Sequence, residues 1–269
     1  MINRHLYLKE MKRNRKAGIV WTLLIMVLVM FILSLYPTVS GMMAQLTVLM
    51  QSFPVPMMRI IGFDFAAWGS VIGYYSTDYS LHVMILSNIY SVMLAGSIIS
   101  KEEREGTAEF LITRPLTRWD VWSGKVAAYF SWMFIFIFFQ ALAALTGMRL
   151  FADEHIQWQR FFTVNLYGML IIFLFGGLSL LLSLTSYRGR QVTALAIGIL
   201  LGTYVVDALS RISPSTEWLG SISPFHYADF NAAAAGYKME LWRFCLLFFP
   251  AIGFFAASFL VFRKKDLTI

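Results

Sequence analysis

Two long stretches of the chain, Ala17 to Tyr36 and Val126 to Met148, contain no charged residue. Each is long enough to cross the roughly 30 Å hydrocarbon core of a bilayer as an α-helix. The whole chain is 58% hydrophobic and 14% charged, whereas soluble domains are about half apolar and a quarter charged. A closed β-barrel would show alternating segments of about ten residues, and these runs are continuous. The sequence therefore predicts an all-α integral membrane protein.

Six apolar runs are long enough to span the membrane, so residues 1–269 are predicted to form a single transmembrane domain. The predicted spans are residues 17–36, 82–100, 126–148, 161–186, 191–210 and 243–262. With six spans, sixteen of the 22 Lys and Arg residues fall on the side of the two termini. Because basic loops stay in the cytoplasm, we expect a multi-pass protein of a bacterial cell membrane with both termini cytoplasmic. The net charge of +7 then reflects topology, and we expect no nucleic-acid partner.

Residues 1–16 combine Ile2, Leu6, Leu8 and Met11 with a cluster of basic residues. At helical spacing this pattern predicts a short helix that lies in the membrane interface, with its apolar side in the headgroup layer. The alternative is a basic flank that only fixes the topology.

Two loops on the outer side are only partly polar. The segment 37–81 is predicted to form short interfacial helices, with Trp68, Tyr74 and Tyr75 at headgroup level. An aromatic belt without a specific role is the favoured interpretation, and a cap over a substrate exit is the alternative. The segment 211–242 is predicted to be a re-entrant or surface-lying hairpin.

Glycines in the fifth predicted span have the spacing Gly198-xxx-Gly202. Small residues four apart allow helices to approach closely. This pattern indicates packing within one subunit more often than dimerisation.

The sequence has no signature of an enzyme or of a metal site. It has no GxxxxGK[ST] phosphate-binding loop, and its 4 histidines are not at metal-ligand spacing. Ionisable residues are almost absent from the predicted spans: His82, Asp207 and Arg243 lie near outer ends. A transporter driven by an ion gradient needs such residues near the middle of the membrane. We therefore expect no catalytic site, and energy for any transport must come from a partner.

One segment, residues 100–125, differs from the rest of the chain. It reads SKEEREGTAEFLITRPLTRWDVWSGK and places Phe110, Leu111 and Ile112 on a segment outside the bilayer, which indicates a protein partner. Pro115 is expected to end one helix, and Asp120 is placed to help begin the next. The alternative is a solvated loop between two spans.

The pattern EExxGTxExLxxxPxxRxxxxxGK in this segment resembles the cytoplasmic segment between the second and third spans of ABC-2 (type-2 exporter) permeases. The matching residues are Glu102, Glu103, Gly106, Thr107, Glu109, Leu111, Pro115, Arg118, Gly124 and Lys125. Ala108 stands where a larger aliphatic residue is common. The chain looks most like permeases of the NosY type, which lack a fused ATPase.

The resemblance implies a coupling helix that sits in a groove of a separate ATP-binding subunit. Glu102, Glu103 and Glu109 would set its orientation, Gly106 and Thr107 would form a bend, and Phe110, Leu111 and Arg114 would contact the ATPase. Pro115 and Arg118 belong to the same motif. The implied complex has two ATP-binding subunits and a second permease, identical or related, in the lipid bilayer.

In this complex ATP and Mg bind to the ATPase, and no cofactor binds to this chain. A lipid, an antibiotic or an amphipathic peptide would suit such apolar spans as substrate. The alternative is a membrane adaptor or a force-transmitting subunit that moves no substrate itself.

Overall fold

The computed structural model describes residues 3–42, 45, 48, 67–104, 117–152, 154–185, 189–228, 230 and 240–264. All regular secondary structure within these residues is helical. Six helices are long and apolar enough to cross a membrane, which confirms the predicted all-α membrane protein. They are α1 (Arg4–Gly41), α2 (Val71–Asp78, a π-helical turn Tyr79–Val83, then Met84–Arg104), α3 (Arg118–Phe151), α4 (Trp158–Thr185), α5 (Gly189–Ser210) and α6 (Leu241–Lys264).

The predicted interfacial helix at residues 1–16 is not separate from the first span. Residues 4–41 form one helix of 38 residues, capped by the side chain of Asn3. Its buried residues recur every three or four positions, so one face packs from end to end, mainly along α3. At 1.5 Å per residue the helix is about 57 Å long and must extend beyond the hydrocarbon core. Whether residues 4–16 touch lipid headgroups stays a prediction.

The second span begins earlier than the sequence indicated, at Val71 rather than at residue 82. Its first turns contain polar residues that hydropathy assigned to a loop. Their hydroxyls are satisfied locally, because Ser76 and Thr77 both donate to the Gly73 carbonyl. Tyr75 is buried among the helices rather than exposed at their surface. Whether Trp68, Tyr74 and Tyr75 lie at headgroup level stays a prediction. Residues 43, 44, 46, 47 and 49–66 of the predicted outer loop lie outside the described residues.

The helices pack in an order that places α4 at the centre. The helix α4 contacts α2, α5 and α6, while α3 packs chiefly against α1. Arg118 contacts the Phe262 and Arg263 carbonyls, and Lys125 contacts Glu10 and the Ile98 carbonyl. The starts of α1 and α3 and the ends of α2 and α6 therefore lie at one end of the molecule, here called the basic end. At the opposite end, the Glu154 carboxylate accepts hydrogen bonds from the Tyr36 hydroxyl and from the Val71 N–H, at 3.1 Å for the latter.

The segment between α5 and α6 is helical where it is described. A 3₁₀ helix spans Pro214–Ile222 and a short α-helix spans Pro224–Tyr227. Residues 229 and 231–239 lie outside the described residues, so the predicted re-entrant or surface-lying hairpin stays a prediction. The Ser223 hydroxyl donates to the Thr203 carbonyl at 2.8 Å, which holds this segment against α5.

Gly198 and Gly202 lie on an exposed face of α5, where an added Cβ would meet nothing within 4 Å. The two glycines therefore do not mediate packing within the described part of the chain, contrary to the expectation.

Candidate site at the basic end of the helices

The segment singled out from the sequence connects α2 to α3. Of its predicted coupling residues, Glu102 and Glu103 belong to the last turn of α2. Arg118 is the first residue of α3. Gly106, Thr107, Glu109, Phe110, Leu111, Arg114 and Pro115 lie outside the described residues, so their roles stay predictions. The structure does show what holds the two ends of this segment.

The start of α3 is fixed by a capping box. The Thr117 hydroxyl accepts from the Asp120 N–H at 3.2 Å, and the Asp120 carboxylate accepts from the Thr117 N–H at 3.1 Å. Asp120 therefore helps to begin the helix, as the sequence predicted, while Thr117 is the N-cap. Together they set the point where the connecting segment ends.

We expect Thr117→Ala to lower the free energy of unfolding by about 1 kcal/mol, because it removes the hydroxyl that accepts the hydrogen bond from the Asp120 N–H. Thr117→Ser keeps the hydroxyl and should remain within a few tenths of a kcal/mol of the parent. Unfolding of the purified chain in mixed micelles, followed by circular dichroism during titration with a denaturing detergent, measures both. Equal losses in the two variants would contradict the capping role.

Arg118 ties the start of α3 to the end of α6. Its guanidinium Nη1 donates to the carbonyls of Phe262 and Arg263, each at 3.1 Å. These carbonyls belong to the last turn of α6, where backbone carbonyls have no N–H partner within the helix. One turn further along α3, the indole of Trp122 donates to the Ser258 hydroxyl at 3.1 Å. The end of the connecting segment is thus attached to the last span.

A buried ion pair joins α1 to α3 at the same level. Lys125 Nζ lies 3.1 Å from Glu10 Oε1, and both side chains are 0% exposed. The same ammonium donates to the Ile98 carbonyl of α2 at 2.7 Å. Lys125 ends the charged segment 100–125, yet its side chain is not exposed to solvent. Its charge is instead enclosed where three helices meet.

Further polar contacts extend this ion pair. Asn14 Nδ2 lies 3.4 Å from Glu10 Oε2, and Lys101 Nζ donates to Asn14 Oδ1 at 3.1 Å. Gly124 packs on Leu6, whose Cδ2 lies 3.3 Å from the place where a Cβ would be. The Gly-Lys pair that ends the sequence motif therefore packs against α1. We call Glu10, Asn14, Lys101 and Lys125 the basic-end cluster.

The basic-end cluster makes a firm junction rather than a reactive centre. Removing either member of a buried ion pair leaves an uncompensated charge, which is strongly unfavourable. Glu10, Asn14 and Lys101 were missed by the sequence analysis. One signal was available: Glu10 is the only acidic residue among residues 1–16, and Leu6, Glu10 and Asn14 are spaced four apart.

Polar side chains also meet within the spans. Gln140 Nε2 donates to the Tyr75 hydroxyl at 2.9 Å, and that hydroxyl donates to Asn165 Oδ1 at 3.2 Å, which links α2, α3 and α4. His82 lies 2.7 Å from Asp78, one turn away on α2. Within the described residues, no three His, Cys, Asp or Glu side chains group as metal ligands. The hydrogen bonds of the Tyr75 hydroxyl are interhelical bonds of the kind that holds membrane helices together, whereas the His82–Asp78 contact lies within α2.

Comparison with known proteins supports the resemblance found in the sequence. The family described as "ABC-2 family transporter protein" matches residues 4–267, which is almost the whole chain. The match includes all six spans, the basic-end cluster and the connecting segment. No curated protein matches the chain.

Proposed function

The chain belongs to the ABC-2 transporter family, and from this premise we propose that it couples ATP hydrolysis in a separate subunit to export of a substrate. Family membership gives it a permease role in an ABC transporter and an ABC ATP-binding subunit as partner. In the proposed cycle, ATP and Mg bind to that subunit, and its closure pushes on the segment between α2 and α3. The spans then reorient around the substrate.

The observation that carries this proposal is the attachment of both ends of the connecting segment. At the end of α2, the Ile98 carbonyl accepts from Lys125 of α3, and Lys101 donates to Asn14 of α1. At the start of α3, Lys125 pairs with α1 and Arg118 binds the end of α6. A displacement of residues 105–116 would therefore move α1, α2, α3 and α6 together. Such a junction can transmit a movement of the connecting segment, driven by the ATPase, to the spans.

The assembly is proposed on the same grounds. Two ATP-binding subunits would bind a pair of permeases, either two copies of this chain or this chain and a related one. The distribution of Lys and Arg favours both termini in the cytoplasm of a cell membrane. The basic end would then face the ATPase, with Glu102, Glu103 and Glu109 orienting the coupling helix. Phe110, Leu111 and Arg114 would contact the ATPase.

For the substrate, we propose a lipid, an antibiotic or an amphipathic peptide. The exposed faces of the spans are large and apolar, with Val27 67%, Phe31 60% and Phe249 64% exposed. An apolar or amphipathic substrate can enter between such faces from the bilayer. A force-transmitting subunit or an adaptor that moves no substrate remains the second candidate, because the same junction would serve it.

Co-purification with the ATPase tests this proposal. The chain would be expressed with a candidate ABC ATP-binding subunit and purified by a tag on the permease. ATP hydrolysis would then be measured for the parent and for Glu103→Ala and Gly106→Trp. We expect the ATPase to co-purify, and we expect both variants to lower hydrolysis roughly tenfold, the size of effect when one charge-assisted hydrogen bond or a well-packed contact is lost.

Matched controls lie at the opposite end of the molecule. Gln159→Ala removes an exposed polar side chain there, and Gly41→Trp adds an indole where a Cβ meets nothing within 4 Å. Both should leave hydrolysis unchanged. A complex whose ATPase activity ignores Glu103→Ala and Gly106→Trp would contradict coupling through this segment and favour an adaptor.

A further inference from the structure

Two neighbouring cavities lie between α4, α5, α6 and the helical segment 213–227, at the opposite end from the basic-end cluster. One has a volume of about 360 Å³ and a polar wall that includes Arg211, Glu217, His226 and Arg243. The other has a volume of about 440 Å³ and a mainly apolar wall that includes Phe175, Ile199, Leu246 and Pro250. Each volume is within the range of small-molecule sites, about 300–1,000 Å³.

Both cavities are lined by α5, by α6 and by the segment 213–227. On α5, Ser210 lines the polar cavity and Thr203, about two turns further into the span, lines the apolar one. On α6, Arg243 lines the polar cavity and Leu246 the apolar one, about one turn deeper. His226 and Tyr227 are adjacent in sequence and face one cavity each. The polar cavity therefore lies directly above the apolar cavity along the direction of the spans.

The depth of the polar cavity corresponds to the membrane interface. Trp218 and Trp242, which flank it, are 65% and 54% exposed. Exposed tryptophans at the end of a span mark the headgroup layer. The apolar cavity begins one to two turns toward the middle of the bilayer, where acyl chains lie. This stacking matches the shape of a membrane lipid.

The charges of the polar cavity favour a phosphate next to an amine. Arg211 is oriented by Asp207, whose Oδ2 lies 2.9 Å from Arg211 Nη2, and Asp207 is 5% exposed. Arg243 contacts Glu240 at 3.0 Å. Arg243 also lies over the Trp242 ring, 5.3 Å from its centroid. A guanidinium has five N–H donors, more than a single carboxylate accepts, so a phosphate oxygen can bind beside the carboxylate. Exposed Glu217 is the acidic group of the wall that can receive an ammonium.

We propose that the two cavities form one binding site for a zwitterionic phospholipid of the ethanolamine type. Its phosphate binds between Arg211 and Arg243, its ammonium binds Glu217, and one acyl chain fills the apolar cavity. His226, whose Nδ1 lies 3.9 Å from Asp207 Oδ1, shapes the wall beside the phosphate. The site is a binding site in its own right and does not depend on coupling to an ATPase.

Photolabelling of the purified full-length chain in nanodiscs tests this site. The probe is phosphatidylethanolamine with a diazirine in one acyl chain, compared with diacylglycerol and phosphatidylglycerol that carry the same chains. Labelled peptides are then identified by mass spectrometry. We expect ethanolamine lipid to label the region 241–264 roughly tenfold more strongly than diacylglycerol does, since only the former has a group for the arginines.

A substitution in the apolar cavity tests whether an acyl chain binds there. Leu246→Trp places an indole in the apolar cavity and should lower labelling by all three probes roughly tenfold. Its matched control is Leu260→Trp, on a similar face of α6 and about 21 Å nearer the basic end, which should leave labelling unchanged. Both leucines are partly exposed, at 41% and 57%, so neither variant disturbs the core.

The headgroup is tested by two conservative substitutions. Arg243→Gln should lower labelling by both phosphate lipids and not by diacylglycerol; its partner Glu240 is 43% exposed and is not left as a buried charge. Glu217→Gln should abolish the preference for phosphatidylethanolamine over phosphatidylglycerol. Unfolding in mixed micelles checks that each variant is folded. Equal labelling by phospholipid and diacylglycerol, or equal labelling of Leu246→Trp and Leu260→Trp, overturns the proposal and leaves only unspecific lipid contact.

Discussion

Replacing Lys125 with Met is expected to lower the free energy of unfolding by about 3–5 kcal/mol, because the buried Glu10 carboxylate would lose its nearest cation and retain the longer contact with Arg13. Glu10 is 0% exposed and reaches Lys125 Nζ at 3.1 Å, while the nearby Arg13 guanidinium lies at 3.8 Å. Unfolding of the purified chain in mixed micelles, measured by circular dichroism during titration with a denaturing detergent, gives the change. Lys9→Met is the matched control, since Lys9 is exposed at the same end of α1.

The double variant Glu10→Leu with Lys125→Met makes the test sharper. Apolar residues of similar volume can replace a buried ion pair at little cost, so we expect the double variant to recover most of the loss. If Lys125→Met were no worse than Lys9→Met, the enclosed pair between α1 and α3 would be contradicted. If the double variant were less stable than Lys125→Met alone, the two charged side chains would stabilise the fold through contacts beyond the ion pair between them.

The existence of all six spans could be predicted from the sequence because lipid tolerates almost no charge over about twenty residues. The helix ends could not be predicted in this way. The helix α1 continues from the span to Asn3 because its packed face continues, and α3 starts at the Thr117 capping box, 9 residues before the uncharged run. Hydropathy indicates which part of a helix lies in lipid, whereas packing and capping hydrogen bonds determine the residue at which the helix begins.

The start of α2 is a second helix end that hydropathy did not predict. Tyr75, Ser76, Thr77 and Asp78 look like loop residues by composition, and they are buried in a helix. Their polar groups are satisfied by the Gly73 carbonyl, by Asn165 and Gln140, and by His82. Such partners lie on other helices or one turn away, and composition cannot reveal them.

The candidate site could be predicted only in part. The motif contains Arg118 and Lys125, which lie at the junction of α2 and α3, and the resemblance to the ABC-2 family is confirmed by the match over residues 4–267. The ion pair was missed because Glu10 and Lys125 are 115 residues apart and each stands in a charged stretch that flanks a span. Only the packing of α1 along α3 brings them together. The contacts of residues 105–116 with an ATPase stay a prediction.

Glycines give the clearest contrast between pattern and packing. The pattern of Gly198 and Gly202 is conspicuous in the sequence, yet both face open space on α5. Gly176 belongs to no such pattern, and the sequence predicted no close contact at this position. A Cβ there would overlap the Tyr129 hydroxyl and lie 2.6 Å from Ser91 Oγ. Three helices, α2, α3 and α4, therefore meet at a position that only glycine fits.

We expect Gly176→Val to lower the free energy of unfolding by about 3 kcal/mol or more, the sum of overpacking and of disturbed hydrogen bonds. Tyr129 and Ser91 cannot move aside easily, since both are buried, lie 2.7 Å apart, and Ser91 donates to the Ile172 carbonyl at 2.8 Å. Gly202→Val is the control and should change stability by no more than about 0.5 kcal/mol, because its side chain meets open space and valine is the better helix former. The milder Gly176→Ala should be partly rescued by Tyr129→Phe, which removes the hydroxyl that the new methyl group would overlap. Absence of any rescue, measured by unfolding in mixed micelles, would place the cost elsewhere than in this contact.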